Sequence, residues 1–174
     1  MKPSRVEVAF STPWFEIVAK HHDGEDAPHY ALRTDDYVSV LARTAAGTYL
    51  LVRQYRPAVE QVTLELPAGH VERGESPAAA ALRELEEETG YRGASTELIA
   101  ELLPDTGRLA NRMWCVLVNG ATRVGPATEA GIELVECTGA ELAEHVRARR
   151  LNNALQLGLL FVAQLDGKLE LEAP

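Results

Sequence analysis

Between Ser76 and Gly90 the chain has almost no choice but to form a helix, and that helix constrains everything around it. Ser76 is a strong N-cap, Pro77 suits the first helical position, and Ala78 to Ala81 are strong helix formers. Gly90 can take the left-handed conformation that ends a helix, so the pattern predicts one over about Pro77 to Thr89. At roughly 100° per residue its apolar face is Ala78, Ala81, Leu82 and Leu85. Glu84, Glu87 and Glu88 share a separate arc of about 100°, and Glu86 points away from them.

An acidic stripe is most often a solvated helix face. Here three carboxylates at i, i+3 and i+4 repel one another, and the helix supplies no lysine to pair with them. A divalent cation would relieve that repulsion. Hard oxygen ligands suit Mg²⁺ or Mn²⁺, and Mg²⁺ usually keeps positions open for waters and substrate phosphates. Arg83, just before the cluster, can hold a carboxylate by a bidentate contact.

From Gly69 to Tyr91 the chain reads GHVERGESPAAAALRELEEETGY. Gly69, Glu75, Arg83, Glu84, Leu85, Glu87, Glu88 and Gly90 fall at the spacing of the Nudix box, with Tyr91 where an aliphatic residue is more usual. The resemblance extends upstream through the QYRP and ELPAG segments and downstream through LNNALQLGLL, covering about Leu50 to Leu160. These segments resemble the ADP-ribose and nucleoside diphosphate sugar branch of the Nudix hydrolases.

That resemblance implies an α/β fold with a mixed β-sheet sandwiched between helices and an N-terminal antiparallel β extension. It divides the chain into an extension over residues 1–43, which makes dimer and substrate contacts, and a hydrolase domain over 44–174. It implies Mg²⁺-dependent hydrolysis of the diphosphate bond of ADP-ribose or a nucleoside diphosphate sugar to a nucleoside monophosphate and a sugar phosphate. Glu84, Glu88 and the carbonyl of Ala68 become metal ligands, and Glu87 a third ligand or a water-orienting group. Glu75 supports the loop and Arg83, or caps the helix. A general base comes from a separate loop, with Glu129 the first candidate and Glu133 the second, either of which can equally be a solvated acid.

Arg56, in QYRP, matches a position that contacts diphosphate or sugar, and its alternative is a surface ion pair. Trp14 either stacks on the base or packs in the core. Arg108, in LPDTGRLANR, binds phosphate or closes an Asp-Thr-Gly turn. Pro104 follows Tyr91 closely for the branch, and its loop departs from the common pattern, which widens the expected substrates toward sugars such as GDP-mannose. The branch also implies a homodimer built on the N-terminal sheet. Two other readings stay open: a ligand-binding or regulatory module without hydrolysis, or a hydrolase of related compounds such as diadenosine polyphosphates. A Nudix-fold isomerase would need catalytic groups that the sequence does not display.

Composition agrees with one compact domain of ordinary globular usage, 46% hydrophobic and 25% charged over 174 residues. A net charge of −9 argues against general nucleic-acid binding, which needs clustered Lys and Arg, but not against a small anionic substrate docked on cations. The N-terminus has no secretion-signal pattern, and the longest apolar stretch, Leu155 to Leu165, is too short for a bilayer. A cytoplasmic protein without membrane contact is expected. Cys115 and Cys137 are expected as core residues rather than a disulfide or metal pair.

The rest of the chain alternates as strands: Trp14 to Lys20, Tyr30 to Thr34, Tyr37 to Arg43, Thr48 to Tyr55, Val62 to Leu66, Ser95 to Leu103, Met113 to Val118 and Ile132 to Cys137. Ala140 to Arg149 and Asn153 to Gln164 read as helices, capped by Thr138 and Asn152.

Overall fold

The structure, a computed structural model, describes residues 2–169 and Leu171. Residues 170 and 172–174, the far end of the expected hydrolase domain, lie outside the described residues. The first three strands, β1 (Arg5–Ser11), β2 (Glu16–His21) and β3 (His29–Arg33), form an antiparallel sheet of their own. β4 (Tyr37–Thr44), which the expected division at residue 43 assigns to the extension, instead enters the larger sheet, so the break between sheets falls before Tyr37. There it pairs in parallel with β10 (Met113–Arg123), with Val38, Val40 and Ala42 opposite Trp114, Val116 and Val118.

The larger sheet has eight strands, with the order β11 (Ile132–Cys137), β5 (Tyr49–Arg56), β4, β10 and β8 (Tyr91–Arg92). β6 (Gln61–Glu65) hangs on β5, β7 (Ala68–His70) on β4, and β9 (Ser95–Leu102) on β10. Because side chains alternate across a strand, β4 and β10 feed two cores. Val38, Val40, Ala42, Val116 and Val118 pack on one face with Ala80, Ala81 and Leu85 of helix α1 (Pro77–Thr89). Leu41, Cys115 and Leu117 pack on the other with Leu142 of α2 (Gly139–Arg147) and Leu159, Leu160 and Ala163 of α3 (Ala154–Leu165). The result is the expected mixed sheet between helices. Both cysteines are free and buried, and burial pushes each thiol up to about 12.

Several local expectations shift. Trp14 is not in a strand: it sits in the turn before β2, where the Thr12 hydroxyl accepts from the N–H groups of Trp14 (3.2 Å) and Phe15 (3.0 Å). The cap of α3 is Asn153 rather than Asn152, its side chain accepting from the backbone N–H of Leu155 and Gln156. Thr138 caps α2 as expected, in a reciprocal box with Glu141.

The loop after β9 joins the two sheets. Leu32 N–H donates to the Arg108 carbonyl (2.8 Å), and Ala110 N–H donates back to the Leu32 carbonyl (3.0 Å). Asp105 accepts from Gly107 N–H at 2.7 Å, forming the expected Asp-Thr-Gly turn. No helix among the described residues is long and apolar enough to cross a membrane.

Candidate active site

α1 begins and ends where its punctuation dictates. The Ser76 hydroxyl accepts from Ala79 N–H at 3.2 Å, and Gly90 closes the helix at φ 73° while donating to the Glu86 carbonyl. With Ala80, Ala81 and Leu85 turned into the core, the helical period brings Glu84 and Glu88 to the adjoining, half-covered side. Both are buried, at 7% and 3% exposure. Glu86 pairs instead with Arg92 at 2.8 Å on the surface, as its orientation implies.

Glu129, from the loop before β11, completes a trio with them: oxygens of Glu84, Glu88 and Glu129 all lie within 4.8 Å of one another. Backbone contacts carry Glu129 there. The N–H groups of Thr128 and Glu129 donate to the Glu87 carbonyl at 2.9 and 3.1 Å, and Val124 N–H donates to Gly90 at 2.9 Å. Gly90 permits this approach, since a Cβ there would meet the Gly125 carbonyl oxygen at 2.3 Å. The last turn of α1, whose carbonyls have no partner within the helix, thus becomes the seat of the loop.

Glu87 stays at the rim, where it accepts from Arg83 at 3.0 Å. Arg83 is the hub of the acid group: it also donates to Glu84 (2.7 Å), to Glu75 (3.1 and 3.0 Å) and to the His70 carbonyl (2.8 Å). These contacts raise the Arg83 pKa, with the Glu75 bond the largest cause, and the same bond lowers Glu75. Glu75 also accepts from Glu72 N–H at 3.1 Å, so it supports both the loop and Arg83. The Glu84 carboxyl is raised, chiefly by burial, with Arg83 opposing. Glu88 is pushed up to about 8, again chiefly by burial, against the bond it accepts from Ala68 N–H at 3.0 Å.

β7 lies close over these acids. A Cβ on Gly69 would fall 2.0 Å from Glu84 Cδ, so only glycine lets the strand approach. A buried glutamine, which in the sequence only interrupts an apolar run, holds the turn before β7. Gln156, 2% exposed, accepts from Leu66 N–H at 2.8 Å and donates to the Leu66 carbonyl at 3.0 Å. A lone polar residue on the core side of a helix is the signal that could have marked it.

The acids line a cavity of about 710 Å³, within the range of small-molecule sites. Arg56 faces it with its fork on Glu65, at 2.9 and 2.7 Å. Burial raises the Glu65 carboxyl, but the bonds from Arg56 and Thr63 outweigh it and the net shift is downward. Three sequence candidates lie elsewhere. Trp14 is 76% exposed and far from burial in any core, and Arg108 folds onto its own loop, donating to the Gly107 carbonyl at 2.9 Å beside His29 in a separate 440 Å³ hollow. Glu133 pairs with Arg53 at 2.7 Å on β11 and does not line the cavity.

Glu84, Glu87, Glu88 and Glu129 at one cavity, the buried Glu84 and Glu88 raised, form a hard oxygen donor set that fits a divalent cation. Glu84 and Glu88 are the buried pair that could hold it, with Glu129 close enough to reach the same point.

Comparison with known proteins agrees with this geometry. The NUDIX domain family model matches residues 33–137, and the chain belongs to that family. It is 29% identical over 133 residues to the Methanol dehydrogenase activator of Bacillus methanolicus, covering 74% of this chain and 72% of that protein. It is 45% identical over 99 residues to the ADP-sugar pyrophosphatase of Mus musculus, covering 54% of this chain but only 45% of that one. A solved structure described as an ADP compounds hydrolase superposes with a TM-score of 0.78 over 97% of this chain and 98% of that chain, at 20% identity, and shows the same fold.

Proposed function

We propose that the protein is a Mg²⁺-dependent pyrophosphohydrolase that cleaves the diphosphate of ADP-ribose or a nucleoside diphosphate sugar to a nucleoside monophosphate and a sugar phosphate. The observation that carries this reading is the trio Glu84, Glu88 and Glu129, gathered within 4.8 Å at a cavity of about 710 Å³. The mouse relative named ADP-sugar pyrophosphatase supports the substrate class.

In this reading Glu84, Glu88 and the Ala68 carbonyl hold Mg²⁺, or Mn²⁺, with Glu87 completing the set from the rim. The cation, when bound, neutralises the diphosphate and lowers the pKa of water. Arg83 fixes the acids through Glu75, and Arg56, oriented by Glu65, binds a diphosphate oxygen. Glu129, outside the helix and exposed, takes the proton of the water that attacks phosphorus. The bond from that phosphorus to the bridging oxygen breaks, and the second phosphate leaves with the bridging oxygen.

The chain works as a homodimer in this reading. β1 exposes Val6, Val8 and Phe10, its pairing with β2 shifting register between Val8 and Phe10. Trp14, at the end of that sheet, would then serve the cavity of the second copy. Arg108 keeps the role of closing the loop that ties the sheets together.

Incubation with Mg²⁺ and ADP-ribose, GDP-mannose, UDP-glucose, diadenosine polyphosphates and nucleoside triphosphates, followed by chromatography of the products, tests the reading. Monophosphate from the sugar-linked compounds is expected, lost in Glu88→Gln and slowed in Glu129→Gln. Binding without product from any of them would favour a regulatory module, the direction in which the name of the Bacillus methanolicus relative points.

A further inference from the structure

Three buried side-chain atoms lack a hydrogen-bond partner among the described residues: Ser39 Oγ, Gln54 Nε2 and Asn111 Oδ1. Such atoms destabilise a fold, and each calls for a reason. Ser39 lies within β4 and does not reach the cavity. Gln54 and Asn111 both line it.

Asn111 is 4% exposed, yet no side-chain bond holds its amide. The backbone beside it is firmly tied. Arg112 N–H donates to Asp36 at 2.7 Å, and Tyr37 N–H donates to the Arg112 carbonyl at 3.1 Å. The unpaired amide is therefore not the product of a loose segment. Near it on the cavity wall stand Leu32, Thr34 and Leu109, brought there by the loop that docks on β3. Gln54 occupies a different wall, two residues before Arg56 on β5 and so on the same strand face.

We propose that Asn111 and Gln54 select the substrate, and that the class they select is a diphosphate joined to a hydroxyl-bearing sugar. This rests on the hydrolase reading above. Gln54 lacks an acceptor and sits beside a guanidinium, so it takes an anionic diphosphate oxygen. Asn111 lacks a donor, so it takes an O–H. The terminal torsion of an amide is broad, and either group turns toward a ligand without leaving its rotamer. A sugar diphosphate supplies both partners at once. The end of a nucleoside triphosphate supplies only acceptors, so the Asn111 amide must turn its NH₂ to it and the Asn111 oxygen stays unpaired. A site built to receive a hydroxyl discriminates strongly against a compound that lacks it.

The test compares kcat/KM for ADP-ribose and ATP in wild type, Asn111→Leu and Asn111→Ser, together with their melting temperatures. Leucine has the branching and heavy-atom count of asparagine, a larger volume that the adjoining cavity can take, and no polar atom, so Asn111→Leu should melt no lower than wild type, while the preference for ADP-ribose over ATP falls about tenfold. Asn111→Ser keeps an acceptor and should recover part of that preference. An unchanged preference in Asn111→Leu overturns the inference, as does a lowered melting temperature with preference kept, the mark of a structural amide. If Asn111→Leu fails to fold, the side-chain NH₂ resonance of Asn111 in wild type decides: it must shift on binding the α,β-methylene analogue of ADP-ribose, and an unmoved resonance overturns the inference. A wild-type protein that hydrolyses none of these compounds fails the hydrolase reading itself and takes the inference with it. A wild type that hydrolyses ADP-ribose but shows no effect of Asn111→Leu defeats the inference alone.

Discussion

Replacing Glu88 by glutamine should make the metal-free protein more stable while destroying its activity. The carboxyl is 3% exposed, and burial moves its pKa from an ordinary 4.5 to about 8. As pH rises through 4.5 the unfolded chain releases this proton, while the folded chain holds it until about 8. Because the folded value is raised, stability is full below 4.5, falls as pH rises toward 8, and is level above it. At pH 7 the gap of some 2.5 pH units corresponds to about 3 kcal/mol at 1.36 kcal/mol per unit. Glutamine titrates nowhere in this range, and its oxygen can still accept from Ala68 N–H.

Urea denaturation in EDTA at pH 4.5 and pH 7.5 reads the difference directly. Glu88→Gln should exceed wild type by up to about 4 kcal/mol at pH 7.5, where the gap is some 3 pH units, and nearly match it at the lower pH. Adding Mg²⁺ should then stabilise wild type more than the variant, which keeps Glu84 and Glu87 but has lost one carboxylate of the set. A variant no more stable than wild type at pH 7.5, or an advantage independent of pH, would refute the burial argument.

Gln156→Leu removes both partners of the Leu66 backbone and leaves a buried N–H and carbonyl unpaired. A loss of about 3 kcal/mol in urea denaturation is expected, and an unchanged midpoint would show that Gln156 clamps nothing. Gly90→Ala puts a Cβ 2.3 Å from the Gly125 carbonyl oxygen at φ 73°, so the loop carrying Glu129 must shift. Turnover should drop about tenfold or more, but the same substitution made in Glu129→Gln should lower it little further; additive losses would mean that the loop and Glu129 act independently.

What the sequence reveals about this molecule depends on how far apart the deciding residues stand. α1 is bounded by its neighbours Ser76, Pro77 and Gly90, and its predicted limits match the observed Pro77–Thr89. β11 is likewise legible over Ile132–Cys137, where half-buried Ile132, Leu134 and Val135 are interrupted by exposed Glu133 and Glu136. Adjacent Asn152 and Asn153 carry the same capping chemistry, so only the observed bonds to Leu155 and Gln156 choose between them. β1, exposed at every position, and β7, whose Ala-Gly-His has little strand preference, exist through pairing with β2 and β4. At the site, the spacing of Glu84 and Glu88 placed them together, whereas Glu129 arrives only through bonds to the Glu87 carbonyl forty-odd residues earlier. Glu133 ranks second to Glu129 in the sequence, and nothing local records its pairing with Arg53.

The arrangement as a whole sets stability against function at one helix. α1 must bring two carboxylates under cover, which opposes folding in the absence of a cation, so the neighbouring structure has to hold it by other means. It does so with contacts that involve neither acid: Ser76 and Gly90 at the ends, and Ala80, Ala81 and Leu85 in the core. Arg83 serves a different end. Its links to Glu75, Glu84, Glu87 and the His70 carbonyl tie β7, the loop and the helix to one guanidinium, so the acids are aligned before any ligand arrives. A cation entering such a site would meet acids already oriented and would offset the cost of their burial. The four glutamates of the LEEE run and its neighbour Glu84 are accordingly unequal: Glu84 and Glu88 bear the burial, Glu87 lends its carbonyl to the Glu129 loop, and Glu86 only pairs with Arg92.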